Sequence, residues 1–230
     1  MTAVILQARL DSSRLPRKAM LPLGGEPLVF RVMEALHTIN AEIWILACPE
    51  DAKELFAPLA ERAGFKLFSG SKEDVLSRYT SAICEFGLQN ARIIRATGDN
   101  PFVFADAANS INDEARPLGA DYAGYAGLPY GAGVESVSAA ALLLAAEKAE
   151  DPYEREHVCP YLYRNGEYFK LHRPLAPAYW QAPALRLSVD THADYIAALS
   201  LYDELAALPQ NERFCGRAII SVALKLINKH

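Results

Sequence analysis

The sequence predicts an α/β fold with a mostly parallel sheet. Apolar runs of strand length recur along the first half of the chain, and each run is followed by a stretch with the periodicity of an amphipathic helix. Apolar strands that alternate with helices are typical of βαβ units, whose parallel strands are buried on both faces. The 230 residues, of which 51% are hydrophobic, suffice for one large core, so we treat residues 1–230 as a single domain.

The predicted elements follow one another in a regular order up to residue 97. The apolar runs predict four strands, at 2–8, 42–48, 65–70 and 91–97. The intervening stretches predict three helices, at 27–39, 49–63 and 73–86. Ser71 and Asp74 have the spacing of a capping box, which would satisfy free N–H groups at the start of the third helix.

After residue 100 the alternation is less regular. Residues 121–137 are rich in glycine and tyrosine and predict a loop followed by a strand. Residues 138–150 predict a helix capped by Ser138. We expect residues 120–183 to form a small substrate lobe inserted into the domain. Its tyrosines at positions 122, 125 and 130 are interpreted as packing within this lobe.

The charge balance argues against a nucleic-acid partner. Lys and Arg number 23 against 28 Asp and Glu, a net charge of -5, whereas nucleic-acid-binding domains usually carry a basic surface. Four widely spaced cysteines without a C-x-x-C pair favour buried thiols in a reducing compartment over a zinc site. No apolar run reaches the roughly 18 residues of a membrane span, and no signal-peptide pattern is present. We therefore expect a cytoplasmic protein with neither a nucleic-acid nor a membrane partner.

A basic segment directly follows the first predicted strand. Four basic residues and two serines lie within ten positions: Arg9, Ser12, Ser13, Arg14, Arg17 and Lys18. Ligands of open α/β sheets bind outside the carboxyl ends of the strands, where this segment should lie. Arginine binds phosphate oxygens in pairs, lysine adds a mobile charge, and hydroxyl and N–H groups complete an anion site. The segment predicts a triphosphate-binding loop of a kind other than the Walker loop, with a basic loop facing water as the alternative.

The same segment carries a family motif. The stretch A-R-x-x-S-x-R-L-P-x-K at residues 8–18 resembles the signature of the CMP-KDO synthetase and acylneuraminate cytidylyltransferase group. The resemblance is greatest to the branch called spore coat polysaccharide biosynthesis protein F, which reads Q-A-R where residues 7–9 do here. Further similar segments occur in the family's order, so the resemblance extends from residue 4 to about 200: 70–79, 95–101, 155–157 and 190–195.

The resemblance implies a Rossmann-like three-layer sandwich with a substrate and dimerisation lobe. It implies an enzyme that moves a nucleotide from a nucleoside triphosphate, usually CTP, to a sugar or sugar acid in cell-surface polysaccharide biosynthesis. Mg²⁺ would be the cofactor, pyrophosphate the second product and a homodimer the assembly. The resemblance assigns nucleotide binding to Gln7, Ala8, Arg9, Ser12, Ser13, Arg14, Lys18, Thr97 and Asp99. It assigns catalysis to Arg9, Arg14, Lys18 and Asp99.

Two acids are expected to hold the metal. Asp99 follows a predicted strand in the segment T-G-D-N-P, and carboxylates together with phosphates suit Mg²⁺, although an Asx-turn role is the alternative. Asp190 ends a strand predicted at 185–190, so it should lie at the same edge of the sheet. Asp194 follows Thr191 by three residues, where the acid of a capping box belongs, and we assign it a structural role at the start of the first of two C-terminal helices.

Four residues are candidates for binding the acceptor: Arg95, Glu135, Glu156 and His157. Arg95 is expected either to bind an acidic substrate or to pair with a neighbouring carboxylate. Glu135 is expected either to accept a hydrogen bond from a sugar hydroxyl or to cap a strand. His157 lies beside Glu156 in a helical stretch, and packing or simple exposure is the alternative to a place in the acceptor site.

Two residues depart from the family motif. Asp11 stands where a small residue is usual, and we expect its charge to repel a triphosphate. Arg17 stands where glycine is usual, and we expect its side chain to hinder close approach of the backbone. These departures keep a non-catalytic nucleotide-binding module as an alternative.

A GT-A-like glycosyltransferase that uses a nucleotide-sugar is a further alternative, but Asp99-Asn-Pro lacks the second acid of the D-x-D pair usual in such enzymes.

Overall fold

A seven-stranded sheet forms the centre of the protein in the computed structural model, which describes residues 1–209 and 212–228. The strands of these residues are β1 Thr2–Gln7, β2 Pro22–Leu23, β3 Glu26–Pro27, β4 Ile43–Pro49, β5 Lys66–Gly70, β6 Arg92–Thr97, β7 Tyr122–Ala123, β8 Glu135–Ser138 and β9 Leu171–His172. The sheet has the order β5-β4-β1-β6-β8-β7-β9, and β2 and β3 form a separate hairpin. β5, β4, β1 and β6 are parallel, whereas β8 is antiparallel to both neighbours. The predicted α/β class with a mostly parallel sheet is confirmed.

Helices cover both faces of this sheet. Those of the described chain are α1 Leu28–Leu36, α2 Lys53–Arg62, α3 Val75–Glu85, α4 Ala105–Leu118, α5 Ala139–Lys148, α6 Pro152–His157, α7 Pro160–Arg164, α8 His192–Ala206 and α9 Gly216–Ile227. Buried residues of α1, α2, α4, α8 and α9 pack in one cluster, and those of α3, α5 and α7 pack in another. The result is the expected sandwich of three layers.

Strand β1, which lies inside the sheet between β4 and β6, shows why the first predicted strand is continuously apolar in sequence. In β1, Val4 and Leu6 belong to one cluster while Ala3 and Ile5 belong to the other, and all four side chains are fully buried. A strand covered on both faces has no solvent side, so its sequence lacks the apolar–polar alternation of a half-exposed strand. The first predicted strand and β1 therefore nearly coincide.

The predicted strand at 185–190 is not a strand of the sheet. Its backbone bonds go to two loops instead: Leu187 N donates to Tyr130 O and Val189 N donates to Asp99 O, each at 2.8 Å. Alternate side chains of the segment are buried in the core, which gives the sequence its strand-like alternation. The two bonds tie the segment to the loops on which Asp99 and Tyr130 lie.

Helix α4 is missing from the predicted elements. Its 14 residues include Pro117 in the last turn, and most of its buried side chains are alanines. The helix is amphipathic, but its apolar side consists mainly of alanines and its composition is polar, so that side is hard to recognise in the sequence. Gly119 ends it in the left-handed conformation at φ 58°, as helix-terminating glycines commonly do.

Two helix caps agree with the sequence analysis. Ser138 caps α5 by accepting a hydrogen bond from Ala141 N at 3.2 Å. Thr191 and Asp194 form the predicted capping box of α8, in which each side chain accepts a bond from the other's backbone N–H. Asp194 therefore has the structural role that its position predicts.

The cap of α3 differs from the predicted one. Asp74, not Ser71, is the capping residue, and its Oδ1 accepts a hydrogen bond from Ser77 N at 2.9 Å. Ser71 stabilises the turn that precedes the helix, because its Oγ accepts a hydrogen bond from Asp74 N at 3.0 Å. The sequence pattern locates the cap but places the start of the helix two residues too early, at 73 rather than at Val75.

Residues 120–183, the expected substrate lobe, contribute three strands to the edge of the main sheet. β7 and β8 pair antiparallel, and β9 pairs parallel to β7. Helices α5 and α7 of this segment pack in the same cluster as α3.

Composition-based expectations can be compared with the described residues. All four cysteines lie among them and are free; Cys48 and Cys159 are buried, but Cys84 is exposed and Cys215 intermediate, so the expectation of buried thiols holds for only part of the set. None of the helices that the structure describes is long and apolar enough to cross a membrane.

Arg17 adopts a left-handed backbone conformation, with φ 54° and ψ 30°. Glycine enters this region without the steric cost of a Cβ atom, which explains why glycine suits the position. We expect Arg17→Gly to stabilise the protein by about 0.5–1 kcal/mol, which raises the melting temperature by roughly 1–4 °C. Arg17→Ala is the control, because it removes the same exposed side chain but keeps Cβ. An equal gain in both variants would show that the side chain, not the backbone, is responsible.

Candidate active site

A cleft of about 450 Å³ opens at the carboxyl ends of β1 and β6. β1 ends at Gln7 and β6 at Thr97, and both residues line the cleft. This is the ligand-binding edge of an open α/β sheet. Every site residue predicted from the sequence except Glu135 lines it: Gln7, Ala8, Arg9, Ser12, Ser13, Arg14, Lys18, Arg95, Thr97, Asp99, Glu156, His157 and Asp190.

Lys18 lies between two carboxylates in this cleft. Its Nζ donates to Asp99 Oδ2 at 2.8 Å and to Asp190 Oδ1 at 2.9 Å. The Lys18 side chain is only 15% exposed, so the contacts are largely shielded from water. The three residues come from distant parts of the chain, and the sheet brings their loops together.

Asp190 accepts hydrogen bonds through both of its oxygens. Oδ1 accepts from Lys18 and, at 3.1 Å, from Arg14 Nη2. Oδ2 accepts from Arg186 Nη2 at 2.5 Å and from Ser188 Oγ at 3.0 Å. Burial alone would raise the pKa of Asp190, but the hydrogen bonds and positive charge, first of all those of Lys18, hold that pKa below its usual value. The carboxylate is therefore kept ionised although it is buried.

The two carboxylates also fit a divalent cation. An oxygen of Asp99 and an oxygen of Asp190 converge on one ammonium group, so both can serve one positive charge. Within residues 1–209 and 212–228, no group of three or more acidic, histidine or cysteine side chains is arranged to hold a metal. Mg²⁺ commonly combines one or two carboxylates with substrate phosphates and water, which suits a site with two acids. A metal that took the two oxygens now bound by Lys18 would displace its ammonium group from them.

Two glycines make room for the close approach of the loops. A Cβ atom on Gly98 would lie 2.9 Å from Ala8 Cβ, and Gly98 N donates to Gln7 O at 2.8 Å. Gly131 has φ 89°, and a Cβ there would lie 2.5 Å from Ser188 N. Side chains at these positions would force apart the loops that carry Asp99 and Asp190.

Helix α6 brings two predicted residues to the rim of the cleft. Glu156 pairs with Arg9 at 3.3 Å, and both side chains are about half exposed. His157 lines the cleft, and its ring lies 4.3 Å from that of Tyr153. Arg155 anchors the helix, because its Nε donates to Asp74 Oδ2 at 2.7 Å.

Arg95 and Glu135 pair with each other. Arg95 Nη1 donates to Glu135 Oε2 at 2.5 Å, and Nη2 donates to Gln7 Oε1 at 3.1 Å. Tyr122 OH donates to the other oxygen of Glu135 at 3.0 Å. Glu135 lines an adjoining cavity of about 320 Å³, whereas Arg95 lines both this cavity and the cleft. Of the two possibilities for Arg95, the structure contains the pairing with a carboxylate.

Two residues near Asp190 were not predicted from the sequence as parts of the site. Arg186 holds its carboxylate, and the Arg186 guanidinium lies 4.6 Å from the centre of the Tyr130 ring. Tyr130 is 60% exposed and lines the cleft, so its interpretation as lobe packing is wrong. Arg186 precedes Asp190 by four residues, and in a strand-like segment such residues share a side. That spacing is the signal by which Arg186 could have been found.

Two further polar side chains line the cleft with unused groups. Asn100 Oδ1 and Arg78 Nε are buried and have no hydrogen-bond partner in the described structure. Asn100 Nδ2 is occupied, since it donates to Thr97 Oγ1 at 2.8 Å. Burial lowers the pKa of Arg78. Buried polar atoms are seldom left unpaired, so these groups mark places where a ligand or water would bind.

Asp11 lines the cleft as a paired charge. Lys72 forms ion pairs with Asp11 and, at 2.9 Å, with Asp51. The hydrogen bond and the charge of Lys72 lower the pKa of Asp11. Lys72 therefore offsets the charge that was expected to repel a triphosphate.

We expect Asp11→Asn to tighten CTP binding by no more than about 5-fold, and only at low ionic strength, because an exposed and paired charge contributes little and is screened by salt. Asp51→Asn is the matched control, since it removes the other partner of Lys72 without altering the wall of the cleft. Calorimetric titration with CTP at low and high salt measures both variants. If Asp11→Asn weakens binding, Asp11 holds the loop or contacts the nucleotide, and the repulsion argument is wrong.

Comparison with known proteins adds independent information on the whole chain. A family model described as cytidylyltransferase matches residues 3–217. The spore coat polysaccharide biosynthesis protein SpsF of Bacillus subtilis (strain 168) is 32% identical over 213 residues, which cover 89% of this chain and 88% of that protein.

Solved structures share the fold. A cytidylyltransferase of Leptospira borgpetersenii superposes with a TM-score of 0.87 at 25% identity, covering 99% of this chain and 95% of that one. CMP:2-keto-3-deoxy-manno-octonic acid synthetase complexed with CTP has a TM-score of 0.63 at 15% identity, covering 88% and 98%. The Rv0371C protein of Mycobacterium tuberculosis H37Rv in complex with manganese has a TM-score of 0.61 at 17% identity, covering 86% and 97%.

Proposed function

This chain belongs to the cytidylyltransferase family, and from that premise we propose that it transfers the nucleotide of CTP to a sugar or sugar acid, with Mg²⁺ as cofactor. It is a nucleotidyltransferase, and pyrophosphate would be its second product. The name of the B. subtilis relative supports a role in the synthesis of cell-surface polysaccharide. We further propose that it acts in the cytoplasm as a homodimer.

The contact of Lys18 with Asp99 and Asp190 is the observation that supports this proposal most. Bound triphosphate needs positive charge, and a divalent metal needs carboxylate oxygens. The cleft holds both kinds of group in contact, since Lys18 and Arg14 share an oxygen of Asp190. Two cations that pair with acids in the free protein are available to phosphate once a metal takes over the acids.

In the proposed reaction an acceptor oxygen attacks the α-phosphorus of CTP. The bond from that oxygen to phosphorus forms while the bond from phosphorus to the bridging oxygen of pyrophosphate breaks, and the proton of an acceptor hydroxyl passes to water. Lys18 and Arg14 neutralise the charge that develops on the phosphate oxygens, and Arg9 at the rim binds the outer phosphates. Catalysis of this kind depends on positioning and on electrostatic stabilisation of the transition state.

Asp99 and Asp190 are the residues proposed to hold the metal. When bound, a divalent cation supplies positive charge at the reacting phosphate and orients its oxygens. Lys18 would then be released toward the phosphates, because two positive charges cannot share the same pair of acids without repulsion. The buried carboxylate of Asp190 keeps its orientation in this exchange through Oδ2, which Arg186 and Ser188 hold.

The adjoining cavity is the proposed site of the acceptor. It shares Arg95, Thr97 and Tyr130 with the cleft, so a molecule in it would lie against a nucleotide in the cleft. Its walls carry Glu135 and Arg173, groups that bind hydroxyls and anions. Glu156 and His157 approach from the rim and are proposed to contact the acceptor as well.

The proposal is tested by offering CTP and Mg²⁺ together with a panel of sugars and sugar acids and measuring pyrophosphate release. We expect release that depends on one of the acceptors and a new product that contains CMP. Asp51→Asn, which alters an exposed ion pair outside the cleft, is the matched control and should react as the unaltered protein does.

The alternatives give different outcomes in the same assay. A glycosyltransferase would release nucleoside diphosphate or monophosphate from a nucleotide-sugar and no pyrophosphate from CTP. A non-catalytic module would bind CTP, as measured by calorimetry, and release nothing with any acceptor. Either outcome would contradict the proposed transfer.

A further inference from the structure

We infer that Arg186 is a positioning residue, which holds Asp190 so that one carboxylate oxygen is left for the metal. This inference rests on the proposed function, because it concerns the same metal site. It starts from the unequal surroundings of the two oxygens of Asp190. Oδ1 is shared by Lys18 and Arg14, which line the cleft, whereas Oδ2 is held by Arg186, which lies outside that lining, and by Ser188.

Arg186 is itself fixed from three directions. Its Nη2 donates to Asp190 Oδ2 at 2.5 Å, and its Nε donates to Asp194 Oδ1 at 3.0 Å. The ring of Tyr130 covers the guanidinium at 4.6 Å. A guanidinium carries its donors in a rigid planar fork, so binding two carboxylates at once fixes their relative orientation. Lysine has no such fork and would hold only one of them well.

The carboxylate of Asp194, which binds the Arg186 guanidinium, is held in place by the cap of α8. Asp194 Oδ2 accepts hydrogen bonds from Thr191 N at 2.8 Å and from Asp190 N at 3.0 Å. The carboxylate that receives Arg186 Nε is therefore immobilised by backbone groups at the start of a helix. Through Arg186, this fixed point determines where the side chain of Asp190 lies.

The role of Arg186 becomes decisive when a triphosphate enters. Lys18 and Arg14 are the groups proposed to turn toward the phosphates, and their departure strips Oδ1 of both its donors. Arg186 and Ser188 then remain as the groups that hold the buried carboxylate. Without Arg186 only the Ser188 hydroxyl would still hold the carboxylate of Asp190, and the orientation of the metal ligand would be less well fixed.

A purely structural role is the competing explanation. In that case Arg186 would only connect residues 184–189 to α8 through Asp194, and its removal would not change the affinity for metal. Asp194→Asn separates the two possibilities. The amide oxygen can still accept the two backbone hydrogen bonds of the cap, but the ion pair with Arg186 is lost while the contact of Arg186 with Asp190 remains.

The test is a titration of Mn²⁺ into the protein saturated with CTP, followed by the electron paramagnetic resonance signal of free Mn²⁺ and corrected for the Mn²⁺ that the same excess of CTP binds without protein. We expect Arg186→Gln to weaken Mn²⁺ binding about 10- to 100-fold, the range found when a residue that orients a metal ligand is removed. Arg186→Lys should recover part of the affinity. Asp194→Asn should lower the melting temperature and weaken Mn²⁺ binding much less than Arg186→Gln does, because the contact of Arg186 with Asp190 remains.

The possible outcomes distinguish a wrong role for Arg186 from a wrong metal site. Unchanged Mn²⁺ affinity in Arg186→Gln, or an equal loss in Asp194→Asn, overturns the positioning role and leaves the proposed function standing. If the unaltered protein with CTP binds no Mn²⁺, the proposed metal site itself is wrong. CTP affinity measured without metal is the internal reference, because a misfolded variant would lose it and a mispositioned ligand would not.

Discussion

Replacing Asp190 by asparagine is expected to lower the rate of nucleotidyl transfer by more than about 100-fold, since a metal ligand should matter more than the residues that orient it. The amide carries no charge for a metal. It also places an NH₂ group against donors, because Lys18 and Arg14 lie on one side of Asp190 and Arg186 and Ser188 on the other.

That conflict also has a cost in stability. Leaving buried donors without an acceptor costs about 1–3 kcal/mol, and each kcal/mol lowers the melting temperature of a domain of this size by roughly 2–4 °C. The rate is therefore measured well below the melting temperature of the variant, over a range of Mg²⁺ concentrations. Loss of rate at a temperature where the variant is fully folded is the expected result.

Asp194→Asn is the control for this experiment. Asp194 caps α8 and does not line the cleft, so its replacement should lower the melting temperature and reduce the rate far less than Asp190→Asn does. The reverse pattern, a stable but inactive Asp194→Asn beside an active Asp190→Asn, would show that the two acids have been assigned the wrong way round.

Replacing Lys18 by alanine is expected to weaken CTP binding roughly 10- to 150-fold. A hydrogen bond to a charged group contributes about 1.5–3 kcal/mol, which corresponds to this range of affinity. The same variant should bind Mn²⁺ more tightly than the unaltered protein when no nucleotide is present, because the ammonium no longer competes for Asp99 and Asp190. Calorimetry with CTP and a separate Mn²⁺ titration measure the two effects.

Lys72→Ala is the matched control for Lys18→Ala. Lys72 also bridges two carboxylates, those of Asp11 and Asp51, but it does not line the cleft. Its removal should change CTP affinity by only a few-fold, in keeping with an exposed ion pair. If the two lysines prove equivalent, Lys18 acts through general charge, and its place in the cleft has no special role.

The sequence predicts the sheet and most of the cleft because both depend on local signals. Apolar runs identify β1 and β6, and the loop that follows β1 carries the basic residues that are predicted to bind phosphate. Asp99 and Asp190 could be placed at one edge of the sheet because each directly follows an apolar run. The expectation held for their location even though residues 185–190 bond to loops rather than to a strand.

Other features depend on contacts between distant residues, which a single sequence does not reveal. The ion pair of Asp11 with Lys72 joins two loops that are distant in sequence, and no residue near Asp11 indicates which side chain is its partner. Arg95 and Glu135 face each other only because β6 and β8 are neighbours in the sheet. Helix α4 packs mainly through alanines, and its composition is polar, so the apolar side by which a helix is predicted is hard to recognise in its sequence.

A crystal structure of the protein with CTP and Mn²⁺ is the most direct test of the proposed metal ligands and of the movement of Lys18. The anomalous scattering of manganese identifies the position of the metal directly. We expect manganese bonded to an oxygen of Asp99 and to Oδ1 of Asp190, with the triphosphate in the cleft and the Lys18 ammonium moved from the two acids to a phosphate oxygen. A nucleotide outside the cleft, or a Lys18 that still bridges Asp99 and Asp190 beside bound CTP, would contradict this expectation.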